Sequence, residues 1–229
     1  MSSNQGSNGW RTRTARRPRD GRSRDEGDRR GEILGAAINR FGRNGYENTK
    51  WAEIADDVGI GPTALYHYFD SKQHCLYVIL GEALGDLHKR FDAITAAHDD
   101  PRDALRAVCA DCFDLSERDV LRNRLLVAEQ ALLSGESSSQ REEQARLAGR
   151  EKTRALEIAW TRFLATAMDL GAIPERDARM LARALLGLYN SIWHWYRPDQ
   201  TLLLPTIAEF FGARMLAVAG VAPDRAPAA

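Results

Sequence analysis

Apolar residues recur at helical spacing from residue 29 onward. Ile33, Leu34, Ala37, Ile38 and Phe41 fall on one face, and the glycines at 42 and 45 end the run. Thr49 stands where it can cap a second, short helix over residues 50–58, which Gly59-Ile60-Gly61 breaks. Pro62 suits the first turn of a third helix over 62–69, because its missing N–H has no partner to lose there. Asp70 or Ser71 caps a long fourth helix over 72–97, with Leu76, Leu80, Ala83, Leu84, Leu87, Phe91 and Ile94 on one face. Further helical patterns cover 101–116, 118–133, 140–170, 175–196 and 201–219. The stretch 135–139 reads as a linker, and Gly171 followed by Pro174 stops the longest pattern in the expected order. No segment alternates with period two. The pattern predicts an all-α chain of about nine helices with no internal repeat.

Composition agrees. Of 229 residues, Ala (33) and Leu (25) dominate, while Gly and Pro total only 26, a mix that favours helix. The longest stretch without Asp, Glu, Lys or Arg, residues 184–196, is 13 residues and too short to span a bilayer. The N-terminus is polar and Arg-rich, unlike a secretory signal. Three cysteines make no disulfide framework and fit a reducing compartment. A soluble, cytoplasmic protein without membrane contact is expected.

The zero net charge hides an asymmetry. Residues 1–24 hold seven Arg against the single acid Asp20. Residues 1–72 carry 13 basic and 10 acidic side chains, residues 73–229 carry 19 and 22. A basic front on a mildly acidic body suggests that the front meets a polyanion. Three parts follow: a disordered Arg-rich extension (1–28), a three-helix unit (29–72) and a larger helical body (73–229).

The most informative string is TKWAEIADDVGIGPTALYHYFDSK, residues 49–72. Two short helices around a Gly turn form a helix-turn-helix. Ile54, Val58, Leu65 and Phe69 are spaced to pack it against the first helix. Thr63, Ala64, Tyr66, His67 and Tyr68 then lie on the exposed face of the second, able to reach base edges and phosphates in a major groove.

Ile54-Ala55, Gly59 and Leu65-Tyr66-x-Tyr68-Phe69-x-x-Lys72 resemble the DNA-binding domain of the TetR family of transcriptional regulators over residues 29–76. The usual pattern has His where Tyr68 stands, a smaller aliphatic residue where Trp51 stands, and often Ser where Gly61 stands. The resemblance implies double-stranded operator DNA as partner, with Thr49, Lys50, Thr63, Ala64, Tyr66, His67, Tyr68 and Lys72 as contacts. Thr49 and Lys72 would meet phosphates. Tyr68 is open to packing or to DNA, and Trp51 to packing or to a wedge on the backbone.

Asn190 and Trp195-Tyr196-Arg197-Pro198 resemble a signature of the branch of that family that answers to acyl-CoA thioesters. In the family the last two helices form the homodimer interface. Two apolar stripes fit this: Leu181, Leu185, Leu188, Ile192 and Trp195 on one helix, Ile207, Phe211 and Met215 on the other. The family's architecture puts the effector among Cys109, Phe113, Leu126, Gln130, Trp160, Phe163, Leu164, Ala167 and Asn190. That mostly apolar set suits a hydrophobic or acyl-CoA-type effector, with Arg197 or Arg122 and Arg124 as candidates for its phosphates.

Other constellations point nowhere strong. Cys109-x-x-Cys112 lies inside a helical pattern and reads as buried thiols. The five histidines show no metal-ligand spacing, and no phosphate loop, dinucleotide fingerprint or nucleophile elbow occurs. No cofactor, metal or catalytic residue is expected. The reading is a homodimeric, ligand-responsive repressor, linked through the fourth helix from Lys72 to Leu84–Ile94. The alternative is a helical ligand-binding or adaptor protein without DNA binding, which leaves the string ending at Lys72 unexplained.

Overall fold

A computed structural model of the chain describes residues 20–198 and 201–222. The described residues form nine α-helices and no strand: α1 (Asp20–Asn44), α2 (Trp51–Asp57), α3 (Pro62–Tyr68), α4 (Lys72–Ala96), α5 (Pro101–Asp111), α6 (Glu117–Glu129), α7 (Gln140–Asp169), α8 (Ala178–Trp195) and α9 (Leu204–Ala219). None of them is long and apolar enough to cross a membrane. Most of the Arg-rich extension lies outside the described residues. Residues 20–28, assigned above to that extension, are helical instead, because α1 grows N-terminally from its packed turns. Helical growth adds one bond per residue once a nucleus exists, and a low apolar content does not stop it.

The predicted face of α1 is buried: Ile33, Leu34, Ala37, Ile38 and Phe41 pack with Ile54, Ala55, Leu65, Phe69 and Leu76. Gly59 adopts φ +67° between α2 and α3, a conformation that side chains resist. Arg40 locks α1 to α2 with two bonds to the Asp57 carboxylate, 2.6 and 2.7 Å. That guanidinium holds the Asp57 carboxyl below its ordinary range.

Two helix–helix packings tie this unit to the larger body, alongside polar contacts from the start of α7. One is α4, which starts beside the helix-turn-helix and packs along α7, the most extensive helix pair in the fold. The other is α1 against α6. A Cβ at Gly42 would stand 2.8 Å from Leu121 Cβ, so the bare backbone sets this close approach.

Several ends differ by a few residues from the periodic pattern. α6 stops at Glu129 and tightens into a 3-10 turn, Gln130–Ser134. α8 starts at Ala178 because the Asp177 carboxylate caps the Met180 N–H at 2.8 Å, and α9 starts at Leu204 with Pro205 in its first turn.

Candidate functional site

α3 presents a compact outward face. Gly61 caps it and Pro62 opens it, so its first turn needs no side-chain acceptor. Leu65 and Phe69 turn into the core, which forces the intervening residues outward. Thr63, Tyr66 and His67 are exposed, Tyr66 at 55%, and Ala64 and Tyr68 are half-buried. Lys50 is exposed at the start of α2. The face thus holds hydroxyls, a ring and an imidazole with free edges, a set able to meet base edges and phosphates.

Thr49 differs from expectation. It is 1% exposed and its hydroxyl donates to the Gly45 carbonyl at 2.9 Å. Lys50 takes the N-cap position of α2 instead, its N–H donating to the Glu53 carboxylate at 3.3 Å. The Thr49 hydroxyl proton goes to a carbonyl just past the end of α1, the local side-chain-to-backbone bond open to threonine. Lys72 is also engaged within the chain, donating to the carbonyls of Tyr46 at 2.9 Å and Thr49 at 3.1 Å. Trp51 packs edge-on against Phe69 with centroids 6.3 Å apart, which supports its packing role.

A cavity of about 270 Å³ lies in the body between α4, α5, α6, α7, α8 and α9. Leu84, Leu87 and Phe91 of α4 form one wall, Leu156 and Trp160 of α7 another, and Leu185, Leu186 and Met215 close it. Its polar groups are few. Glu157 accepts from Arg183 Nε at 2.8 Å and Arg179 Nε at 3.2 Å, and these cations hold its carboxyl below the usual range. Asp111 is paired with Arg90 at 2.9 Å, while Gln130, Thr153 and Asn190 add neutral donors and acceptors. The Tyr189 phenol accepts from Asn123 Nδ2 at 2.8 Å, and burial pushes its ionisation far up.

Of the residues expected around an effector, Leu126, Gln130, Trp160 and Asn190 line this cavity. Cys109, Phe113, Phe163, Leu164 and Ala167 do not. Residues 153, 156, 157 and 160 share one face of α7. Leu164 and Ala167 continue that stripe into solid core beyond the cavity, and Phe163 packs edge-on against Phe91. On α5 the helical phase brings Val108, Asp111 and Cys112 to the cavity and leaves Cys109 in the core. Phe113 stacks edge-on against Tyr189 behind the wall. Burial raises both thiols, so neither is a ready nucleophile. The mouth pair Glu157–Arg183, together with Thr153, escaped the sequence reading, whereas Cys112, grouped there with Cys109 and Phe113 on the fifth helix, does line the cavity. Charged i,i+4 patterns on α7 look like a solvated face until α8 is laid against it.

The proposed phosphate ligands sit elsewhere. Arg122 is paired with Asp86 at 2.7 Å, and Arg43, Arg124 and Arg197 line a separate cleft of about 290 Å³ at the α1–α6 joint. Arg43 there is ion-paired with Glu117.

The dimer stripes need correction. Leu181, Leu185, Ile192, Ile207 and Met215 are buried within the single chain and have no surface left to give a second copy. Hydrophobic periodicity marks an apolar face without saying what covers it, and here α6 and α7 cover the α8 stripe while α5 and α8 cover the α9 stripe. Leu188 and Phe211 are half-buried and Trp195 is exposed. The outward apolar set on α8, α9 and the segment between them is Met180 (71% exposed), Trp195, Leu202, Leu203 and Phe210 (51%). Among the described residues no cluster of three His, Cys, Asp or Glu could hold a metal ion.

Comparison with known proteins fits this geometry. The profile described as "Bacterial regulatory proteins, tetR family" matches residues 33–77, and "Tetracyclin repressor-like, C-terminal domain" matches residues 98–218. The HTH-type transcriptional repressor KstR2 of Rhodococcus jostii is 36% identical over 86 residues, 38% of this chain and 42% of that protein. The chain thus spans less than half the length of that relative. The crystal structure of the TetR family regulator PfmR from Thermus thermophilus superposes with a TM-score of 0.69 at 25% identity, covering 84% of this chain and 99% of that one. AibR, solved in complex with isovaleryl coenzyme A and operator DNA, shares the fold at a TM-score of 0.61 and 21% identity, over 82% of this chain and 97% of that one. With both its helix-turn-helix and its ligand-domain profile matched over most of its length, the chain belongs to the TetR family of bacterial regulatory proteins.

Proposed function

We propose that the protein is a homodimeric transcriptional repressor that leaves operator DNA when a hydrophobic effector, an acyl-CoA or a compound of similar shape, occupies the cavity. The observation that carries this reading is the continuity of α4. Lys72 at its first residue braces the helix-turn-helix, and Leu84, Leu87 and Phe91 further along the same helix wall the cavity. An occupant that favours a different α4 pose shifts the population of dimers whose two α3 helices match successive major grooves, about 34 Å apart.

The cavity holds roughly nine water-sized groups. It suits an acyl chain or a small ring, and it is far too small for a whole coenzyme A thioester. The coenzyme would extend from the mouth at Glu157, Arg183 and Asn190. Isovaleryl coenzyme A bound to AibR supports this class. The exposed Met180, Trp195 and Phe210 face would meet its counterpart on a second copy.

The test pairs two measurements. Duplexes are selected from a random library on the protein and used in gel shifts with a series of acyl-CoAs and their free acids, and each compound is also run in thermal shift. Release and a raised melting temperature with a thioester, and weaker effects with its acid, are expected. Equal release by the acids removes the coenzyme from the reading, and a protein that selects no duplex removes DNA binding.

A further inference from the structure

The start of α7 bonds to the end of the recognition helix. α3 has seven residues, and Phe69 behind it is extended. A helix so short leaves most of its carbonyls without intrahelical partners and depends on neighbours for its pose. The Tyr68 carbonyl accepts from Arg141 Nη2 at 2.9 Å. The Asp70 carboxylate accepts from Arg141 Nη1 at 2.6 Å and from Ser139 Oγ at 2.5 Å. One planar guanidinium thus bridges the last turn of α3 and the residue that leads into α4, a geometry that needs the arginine fork.

Ser71 completes the join. Its hydroxyl accepts the His74 N–H at 2.9 Å, capping α4, and donates to Glu142 Oε2 at 2.6 Å. Glu142 is fully buried, and it also accepts from Ser138 N–H at 3.1 Å and Ser138 Oγ at 2.9 Å. A buried carboxylate is held in place by its donors, because losing one exposes an uncompensated charge to a poor solvent. The Asp70 N–H closes the ring of contacts on His74 Nδ1 at 3.0 Å.

The same helix walls the cavity. Thr153 lies eleven residues beyond Glu142, about 16 Å along the axis at 1.5 Å per residue, with Leu156, Glu157 and Trp160 after it. A single α-helix therefore walls the cavity and bonds to α3.

We propose that Ser139, Arg141 and Glu142 are positioning residues for DNA reading, and that α7 carries effector occupancy to α3 directly, in parallel with α4. This rests on the DNA-binding reading above. The parent binds α3 in one pose through these contacts. Movement of α7 over the cavity changes that pose.

The test uses the full chain and a duplex selected on the parent protein. The double variant S139A/R141A should lose about tenfold in affinity for the selected duplex and hold its affinity for random duplex within about twofold. Amide exchange should rise across residues 62–70 and stay at the parental level in α2 and α8. Arg141→Lys keeps the charge and lacks the fork, so it should not restore selectivity. Equal loss on both duplexes that Lys repairs would make Arg141 a phosphate contact and overturn the proposal. Parental selectivity and parental exchange in the double variant would overturn it too. A parent that selects no duplex removes the DNA reading alone, since the exchange measurement still decides whether α7 holds α3.

Discussion

The Lys72 ammonium lies 4.2 Å from the centre of the Tyr46 ring and donates to the Tyr46 carbonyl at 2.9 Å. With its bond to the Thr49 carbonyl it ties the first residue of α4 to the loop between α1 and α2. Lys72→Ala strips that donor from two partly buried carbonyls. The expected loss is about 1–3 kcal/mol of folding stability, towards the lower end because water reaches the site. Urea unfolding measures it. Unchanged stability with a salt slope of DNA binding reduced by about one would return Lys72 to the role of a phosphate ligand.

Tyr66 is the opposite case. It is more than half exposed and is not among the side chains packed into the core. Tyr66→Ala should leave stability within about 0.5 kcal/mol. Affinity for a selected duplex should fall by about 1–3 kcal/mol. Fluorescence anisotropy on that duplex gives the answer, and parental affinity would take Tyr66 off the reading face.

At the α1–α6 joint, Gly42→Ala sets two effects against each other. Alanine gains about 1 kcal/mol in helix propensity. Its Cβ, however, would stand 2.8 Å from Leu121 Cβ and 3.3 Å from Leu121 Cα, and that backbone contact has little room to give. Overpacking of this kind costs about 1–3 kcal/mol, so net destabilisation is expected. A melting temperature above the parent's would show that the joint is slack.

Much of this was readable in the residues themselves. The α1 stripe, the Gly59 turn and the Leu65–Phe69 spacing each follow from one local rule, and all three hold. Thr49 did not follow, because a hydroxyl between two helices has acceptors and donors on both sides, and only the folded loop ranks Gly45 O first. The α8 and α9 stripes were visible, but their partner was not: α9 is apolar around most of its girth, and the clear stripe on α8 does not say what covers it. Of the cavity residues, Leu126, Gln130, Trp160 and Asn190 hold; Cys109 misses by phase, since a shift of one position turns a side chain by about 100°, while Leu164 and Ala167 keep the right face and lie beyond the cavity. The Asp70–Arg141 and Ser71–Glu142 bonds join residues 71 positions apart and leave no trace in the pattern.

His74 makes the recognition-helix junction sensitive to acid. Burial, then the nearby Arg141 charge, lowers its pKa below 6.5, against the opposing pull of Asp70 and Glu142, with Arg30 also lowering it. The unfolded chain therefore takes up this proton at higher pH than the folded one. Stability is fully present above about pH 6.5 and declines as pH falls towards the folded pKa. Protonation also removes the Nδ1 lone pair that accepts from the Asp70 N–H. Asp70, its carboxyl lowered first by the Ser139 bond and also by Arg141, adds a loss only below the ordinary carboxylate range. Denaturation midpoints taken between about pH 5 and 8 should fall on the acid side, and His74→Gln should flatten that slope. An unchanged slope would place the titrating group elsewhere.

Phe210→Asp combined with Met180→Asp changes only exposed positions, so the protomer should keep its fold. Charge on both sides of a seam between two copies is costly, and sedimentation should report monomers. DNA binding should weaken with it, because paired half-sites need paired helices. A dimer that survives would place the seam on another face.

The uninterrupted course of α7 has a consequence for anyone who would rebuild this protein as a biosensor. Its two working stretches, 139–142 and 153–160, share a single rotational register. If α7 works as proposed, grafting a new sensing half after residue 152 preserves that register and should let the DNA-binding half be paired with a different sensed compound. Adding one residue between them swivels one stretch by about 100° relative to the other. On that footing a chimera of the right length would keep both routes to the DNA, whereas one a residue too long would lose the α7 route and answer its compound through α4 alone, with a weaker switch.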